Sequence, residues 1–210
     1  MLRILIADDH PVVRQGLRQT IAETSDMVVV DEASNGWEVL SKVRANSYDV
    51  VLLDISMPGA SGVDILKELK DERPGLPVLI LSIHPEEQYA LRAFKAGASG
   101  YLTKESAPDE LVAAIRKIST GGKYVSSSLA EILASELGTS DKELPHKTLS
   151  DREYQVMRVI ALGKTVTEIA EELSLSVKTV STYRSRILEK MKMKNNAEIT
   201  YYAMQNRLVD

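Results

Sequence analysis

The chain has 210 residues, 44% of them hydrophobic and 27% charged, a composition that excludes the disordered, collagenous and disulfide-stapled classes. It contains no cysteine, so disulfides, thiolate metal sites and a cysteine nucleophile are excluded too. Its net charge of -4 is segregated: residues 1 to 144 carry 15 Lys+Arg against 22 Asp+Glu, net -7, whereas residues 145 to 210 carry 11 against 8, net +3. An acidic body with a basic C-terminal third points to one part that meets a polyanion and another with a different task.

The length suits two domains. No apolar run approaches the ~20 residues of a membrane span, and Met1-Leu2-Arg3 leads directly into a strand-like segment. The expectation is a cytoplasmic protein without a leader and without a membrane partner.

Five short apolar runs occupy the first 120 residues: Arg3 to Ala7, Met27 to Val30, Asp49 to Leu53, Pro77 to Leu81 and Gly100 to Leu102. Continuous β-branched and leucine runs, without period-2 alternation, are what a parallel sheet covered on both faces requires. Helical stretches lie between them near residues 12 to 24, 36 to 45, 61 to 71, 86 to 95 and 108 to 119. Pro11 and Pro108 near helix starts, and Gly97 and Gly121 after helix ends, punctuate a (βα)5 pattern.

The organisation read from this is a domain over residues 1–122, a helix (127 to 137) and polar linker within 123–147, and an all-helical domain over 148–210. In the last part, four helices are expected over 151 to 162, 166 to 173, 177 to 193 and 196 to 207. Ser150 with Glu153, Thr165 with Glu168 and Asn195 with Glu198 have capping-box spacing, while Ser176 offers a cap alone.

In an open parallel sheet, ligands bind beyond the carboxyl ends of the strands. Asp8 and Asp9 follow the first strand, Asp54 ends the third, Ser82 ends the fourth, and Lys104 lies beyond the fifth. Three carboxylates so close must protonate, pair with Lys104 or hold a divalent cation, and oxygen ligands with open water positions suit Mg²⁺. Phosphoryl transfer to a carboxylate needs such parts: Asp54 as nucleophile, Mg²⁺ held by Asp8 and Asp9, Lys104 against developing charge, and the Ser82 hydroxyl for a phosphoryl oxygen.

Asp8-Asp9-His10-Pro11, the segment Leu-Leu-Asp54-Ile-Ser-Met-Pro58-Gly, Ser82, and Gly100-Tyr101-Leu102-Thr103-Lys104 resemble the receiver domain of bacterial two-component response regulators. The resemblance implies a flavodoxin-like fold of strand order 2-1-3-4-5 and an aspartyl phosphate on Asp54. It also implies Mg²⁺ coordination by Asp9, Asp54 and the Ser56 carbonyl, and an inward turn of Tyr101 as the Ser82 hydroxyl moves toward the phosphoryl group. Ser56 and His84 occupy positions where the family modulates dephosphorylation; His10 by itself reads as a cap or packing residue.

From Thr165 to Met191 the pattern is helix, short turn, helix, and Val180, Tyr183, Ile187 and Met191 form the buried stripe of the second helix. Its other face carries Lys178, Ser181, Thr182, Ser185 and Arg186, flanked by Arg184, Lys190, Lys192 and Lys194. Six basic residues against one acid over 177 to 194 favour a phosphate backbone, and the stripe lacks the bulky aromatics of a membrane-surface helix. Leu149-Ser150-Asp151-Arg152-Glu153, Gly163, Glu168-Ile169-Ala170 and Ser176-Val-Lys-Thr179-Val180 resemble the LuxR-type helix-turn-helix of the NarL/FixJ family.

Together these imply a transcription regulator that binds double-stranded DNA, is phosphorylated at Asp54 by a sensor histidine kinase and forms a homodimer on phosphorylation. It would lose its own aspartyl phosphate slowly and turn over no separate substrate. A phosphate-independent DNA-binding module is the alternative. A small-molecule phosphotransferase lacks an Asp-x-Asp after a strand and leaves the helix-turn-helix without a purpose.

Overall fold

The computed structural model describes all residues except 58–60, 128, 132–143, 207 and 210. The Pro58 part of the Asp54 motif, the end of the helix expected over 127 to 137, and most of the linker therefore lie outside the described residues. The chain divides into two compact units, Met1–Gly138 and Thr139–Asp210.

In the first unit, β1 (Leu2–Ala7), β2 (Met27–Ala33), β3 (Val50–Asp54), β4 (Val78–Ser82) and β5 (Gly100–Thr103) form one parallel sheet of order β2-β1-β3-β4-β5. They alternate with α1 (Pro11–Ala22), α2 (Gly36–Ala45), α3 (Gly62–Glu72), α4 (Glu86–Lys95) and α5 (Ala107–Ser119). Strands β3 and β4 are buried at every position, as their unbroken apolar runs demand. Right-handed crossovers place α1 and α5 on one face and α2, α3 and α4 on the other. Ile4, Ile6, Leu52, Leu79 and Leu81 accordingly pack with Leu17 and Ile21 of α1 and Leu111 and Ile115 of α5.

Strand β2 runs three residues beyond its apolar stretch. It is an edge strand, where polar side chains are tolerated: Asp31 is held by Lys42 at 2.9 Å and by the Tyr48 hydroxyl at 2.7 Å, and Glu32 by Arg14 at 2.9 Å. Gly97 and Gly121 adopt φ +102° and +85°, the left-handed geometry that closes a helix.

The second unit contains α6 (Asp151–Ala161), α7 (Val166–Glu172), α8 (Val177–Lys190) and α9 (Asn196–Gln205). Reciprocal capping boxes open α6 and α7 through Ser150 with Glu153 and Thr165 with Glu168. The third box expected is only half made: Asn195 accepts from the Glu198 amide at 3.1 Å, but the Glu198 carboxylate turns to the Lys194 amide at 2.9 Å. Helix α8 ends three residues early because Lys192 adopts φ +55°. Val180, Ile187, Met191, Ile169, Tyr154, Met157 and Ile199 are buried in this unit, and Tyr183 is half-buried.

Candidate functional site

The sheet brings the acidic residues together as its topology requires. Asp8 leaves β1, Asp54 ends the adjacent β3, and both are fully buried. Lys104 follows β5, and its amide donates to the Ser82 carbonyl at 2.7 Å, which fixes the loop to the end of β4. Its ammonium lies 2.6 Å from Asp8 Oδ2 and 2.7 Å from Asp54 Oδ2. The other oxygen of Asp54 accepts the Ser56 amide at 2.8 Å, and that of Asp8 accepts the His10 amide at 2.8 Å.

Burial pushes the Asp54 carboxyl above the usual carboxylate range, and the Lys104 ammonium and the Ser56 amide offset only part of that. For Lys104, burial disfavours the ammonium, but the Asp54 and Asp8 carboxylates outweigh it and raise its pKa.

Ligand atoms of Asp8, Asp9, His10 and Asp54 all lie within 4.8 Å of one another. Asp8 Oδ2 and Asp9 Oδ1 are buried, and their partners among the described residues are the Lys104 ammonium at 2.6 Å and the His10 ring at 2.9 Å. Three carboxylates converge on one ammonium. The donor set, all-oxygen apart from the His10 imidazole, therefore fits a divalent cation. His10, read from sequence as a cap or packing residue, is the N-cap of α1, without a side-chain cap bond; its ring lies 3.1 Å from Asp8 and 2.9 Å from Asp9, and the signal available for that was its adjacency to Asp8-Asp9.

Ser82 and Tyr101 are fully buried and meet at one main-chain unit: Ser82 Oγ accepts the His84 amide at 3.0 Å, and the Tyr101 hydroxyl donates to the His84 carbonyl at 2.9 Å. The His84 ring stacks on Tyr89 at 4.8 Å. The resemblance had singled out all three residues, but not that His84 joins the other two, because the His84 groups involved are backbone.

On α8, Lys178, Ser181, Thr182, Ser185 and Arg186 are exposed together, as is Lys192 beyond its end. Ser176 caps the helix through the Thr179 amide at 3.0 Å. The Thr182 and Ser185 hydroxyls donate to the Lys178 and Ser181 carbonyls at 3.0 and 3.1 Å, which leaves their lone pairs and the threonine methyl outward. Arg184 and Lys190 are engaged inside the unit instead. Arg184 is half-buried and donates to Asn196 at 2.7 Å; Lys190 pairs at 2.6 Å with Glu153, the buried carboxylate of the α6 capping box. Their place near the helix edge, toward α9 and α6, is the reason.

Residues 4–116 match the response regulator receiver domain, and residues 147–203 match the bacterial regulatory proteins of the luxR family. The chain belongs to the response regulators. This response regulator is 38% identical over 209 residues to response regulator UvrY of Escherichia coli O6:H1, spanning 99% of this chain and 96% of that one. It is 36% identical over 210 residues to response regulator GacA of Pseudomonas protegens, spanning 100% and 99%. Its fold matches that of RcsB from Salmonella enterica serovar Typhimurium, solved bound to promoter rprA in the presence of the phosphomimetic BeF3−, with a TM-score of 0.65 at 26% identity over 96% of this chain and 98% of that one. Among the described residues of this response regulator no helix is long and apolar enough to cross a membrane.

Proposed function

We propose that this response regulator takes a phosphoryl group from a sensor histidine kinase onto Asp54 and that the phosphorylated chain, as a homodimer in the cytoplasm, binds double-stranded DNA through α8 to control transcription. The observation that carries the reading is the convergence of buried Asp54, buried Asp8 and Lys104 at the carboxyl ends of β1, β3 and β5 in a chain that ends in a basic helix-turn-helix.

The geometry supports the following chemistry. The Asp54 carboxylate attacks phosphorus, a new oxygen–phosphorus bond forms, and the donor imidazole leaves with its electron pair. Mg²⁺, when bound by Asp8, Asp9 and Asp54 with the Ser56 carbonyl, supplies positive charge to the phosphoryl oxygens. Lys104, already held between Asp8 and Asp54, offsets the charge that the acyl phosphate adds. Ser82 exchanges the His84 amide for a phosphoryl oxygen, and Tyr101 stays inward. The chain turns over no substrate of its own beyond slow loss of this phosphate.

DNA contact divides by chemistry. Lys178, Arg186 and Lys192 face phosphates, while Ser181, Thr182 and Ser185 face base edges.

Incubation with a small phosphodonor and Mg²⁺ tests the reading. Stoichiometric label that is lost slowly, together with tighter DNA binding, is expected. Continuous release of phosphate would make the chain an enzyme, and absence of label would leave a phosphate-independent module.

A further inference from the structure

The segment that leaves the first unit is not released at the end of α5. After Gly121 it returns along the free edge of β5: the Tyr124 amide donates to the Ser99 carbonyl at 2.9 Å, and Tyr124 forms a parallel bridge with Gly100. A Cβ on Gly100 would stand 3.0 Å from the Tyr124 Cβ and 2.8 Å from Leu79, so glycine there is what lets the strap lie against the strand. The Tyr124 hydroxyl donates to Glu110 of α5 at 2.5 Å. Tyr124, Ser126 and Leu129, assigned from sequence to the inter-domain segment, are thus part of the first unit's packing, and Leu129 is fully buried.

Ser126 occupies a double position on this strap. Its hydroxyl accepts the Leu129 amide at 3.1 Å and its carbonyl accepts the Ala130 amide at 3.0 Å, so it starts the helical turn that leads toward the second unit. The same hydroxyl donates to the carboxylate of Glu86. Glu86 is the first residue of α4 and lies four residues after Ser82, with His84 between them. One short stretch therefore joins the Ser82 hydroxyl, bound to the His84 amide, to the carboxylate that holds the strap.

We infer that the Glu86 to Ser126 hydrogen bond is the joint through which the state of Asp54 reaches the inter-domain segment. The inference rests on the function proposed above: as the Ser82 hydroxyl swings to donate to a phosphoryl oxygen, its Oγ leaves the His84 amide, residues 83 to 85 rearrange, and the start of α4 moves with them. Glu86 then pulls on Ser126 or releases it, and the helical turn capped by Ser126 is repositioned or loosened. This supplies an element with two arrangements that both sites bias, as energetic coupling requires. Both are positioning residues, remote from phosphate and DNA.

The test uses the full chain, a small phosphodonor with Mg²⁺, and a duplex selected from a random-sequence pool with the phosphorylated wild-type protein. Label on Asp54 and the ratio of DNA affinities with and without phosphodonor are measured for Glu86→Ala, Ser126→Ala, the double variant, and the conservative Glu86→Gln and Ser126→Thr. The joint predicts wild-type label in all five. It predicts a ratio reduced about five-fold or more in the three alanine variants, no larger in the double than in the singles, and a ratio retained by Gln and Thr. A merely structural role would instead lower thermal stability in each single variant, add in the double and leave the ratio alone. An unchanged ratio in Glu86→Ala and Ser126→Ala overturns the inference. Absence of label on the wild-type chain would strike the functional reading itself, and the joint with it.

Discussion

The two functional faces of this molecule are built on opposite physical terms. Around Asp54 the charged groups are largely buried and held against one another: Lys104, with a side chain 14% exposed, touches both Asp8 and Asp54. On α8 the charges and hydroxyls of Lys178, Ser181, Thr182, Ser185 and Arg186 stand in solvent and await a partner. The first face works by preorganisation, so single substitutions there should act all or none; the second works by summed weak contacts, so substitutions there should act in increments.

The largest effect is expected at Asp54. Asp54→Asn should take up no phosphate while keeping the fold, since a carboxamide cannot serve as acceptor, and intact-mass measurement after phosphodonor treatment checks this. Next comes Lys104→Ala, which leaves buried carboxylates without their cation. Loss of one partner of a buried ion pair costs about 3 kcal/mol or more, so the variant should melt early and regain more stability from Mg²⁺ than the wild type does. A thermal melt with and without Mg²⁺ reads both, and equal responses to the metal would show that Lys104 does not compete with a cation for these carboxylates.

On the DNA side, Ser181→Ala, Thr182→Ala and Ser185→Ala should shift preference among base pairs by roughly 1 to 3 kcal/mol at particular positions. Lys178→Ala and Lys192→Ala should instead weaken all sequences alike and flatten the salt dependence by about one unit each. Lys190→Ala sharpens the division: its ammonium is committed to Glu153, so its main effect should be loss of stability in the second unit and not a change in salt slope. Titrations over operator variants at several salt concentrations, beside a melt, separate these classes.

The smallest effect lies away from both faces. Burial, and then the Asp31 and Glu110 carboxylates, push the Tyr48 and Tyr124 hydroxyls up to about 12 from an ordinary value of 10.0. The neutral phenols are favoured in the folded state, so their contribution is complete below pH 10 and is lost as pH rises toward 12. Alkaline melts of the full chain should show this decline, and Tyr48→Phe with Tyr124→Phe should flatten it.

The same contrast decides what was legible in the sequence. The strands and the acid cluster could be read because unbroken apolar runs fix buried strands and the residues just beyond them, Asp8, Asp54, Ser82 and Lys104, are forced onto one rim; the strand order came from the resemblance to receiver domains. Helix starts at Ser150 and Thr165 were legible because a capping box is local chemistry. Side-chain partners across the second unit were not. Nothing in the spacing of α8 says that Lys190 meets Glu153 or that Arg184 meets Asn196, since those pairings depend on how α6 and α9 pack against it. The strap over β5 was equally hidden, because Tyr124 and Ser126 sit in a polar stretch whose docking rests on main-chain bonds and a distant carboxylate.

In the proposed function, phosphate on Asp54 is converted into DNA affinity. The most direct measurement is the dissociation constant of the full chain for one selected duplex at one salt concentration, with and without phosphodonor and Mg²⁺, for wild type and Asp54→Asn. Tightening of about five-fold or more is expected for the wild type and none for the variant. Equal affinity of the wild type in both conditions, or an equal response from Asp54→Asn, would contradict it.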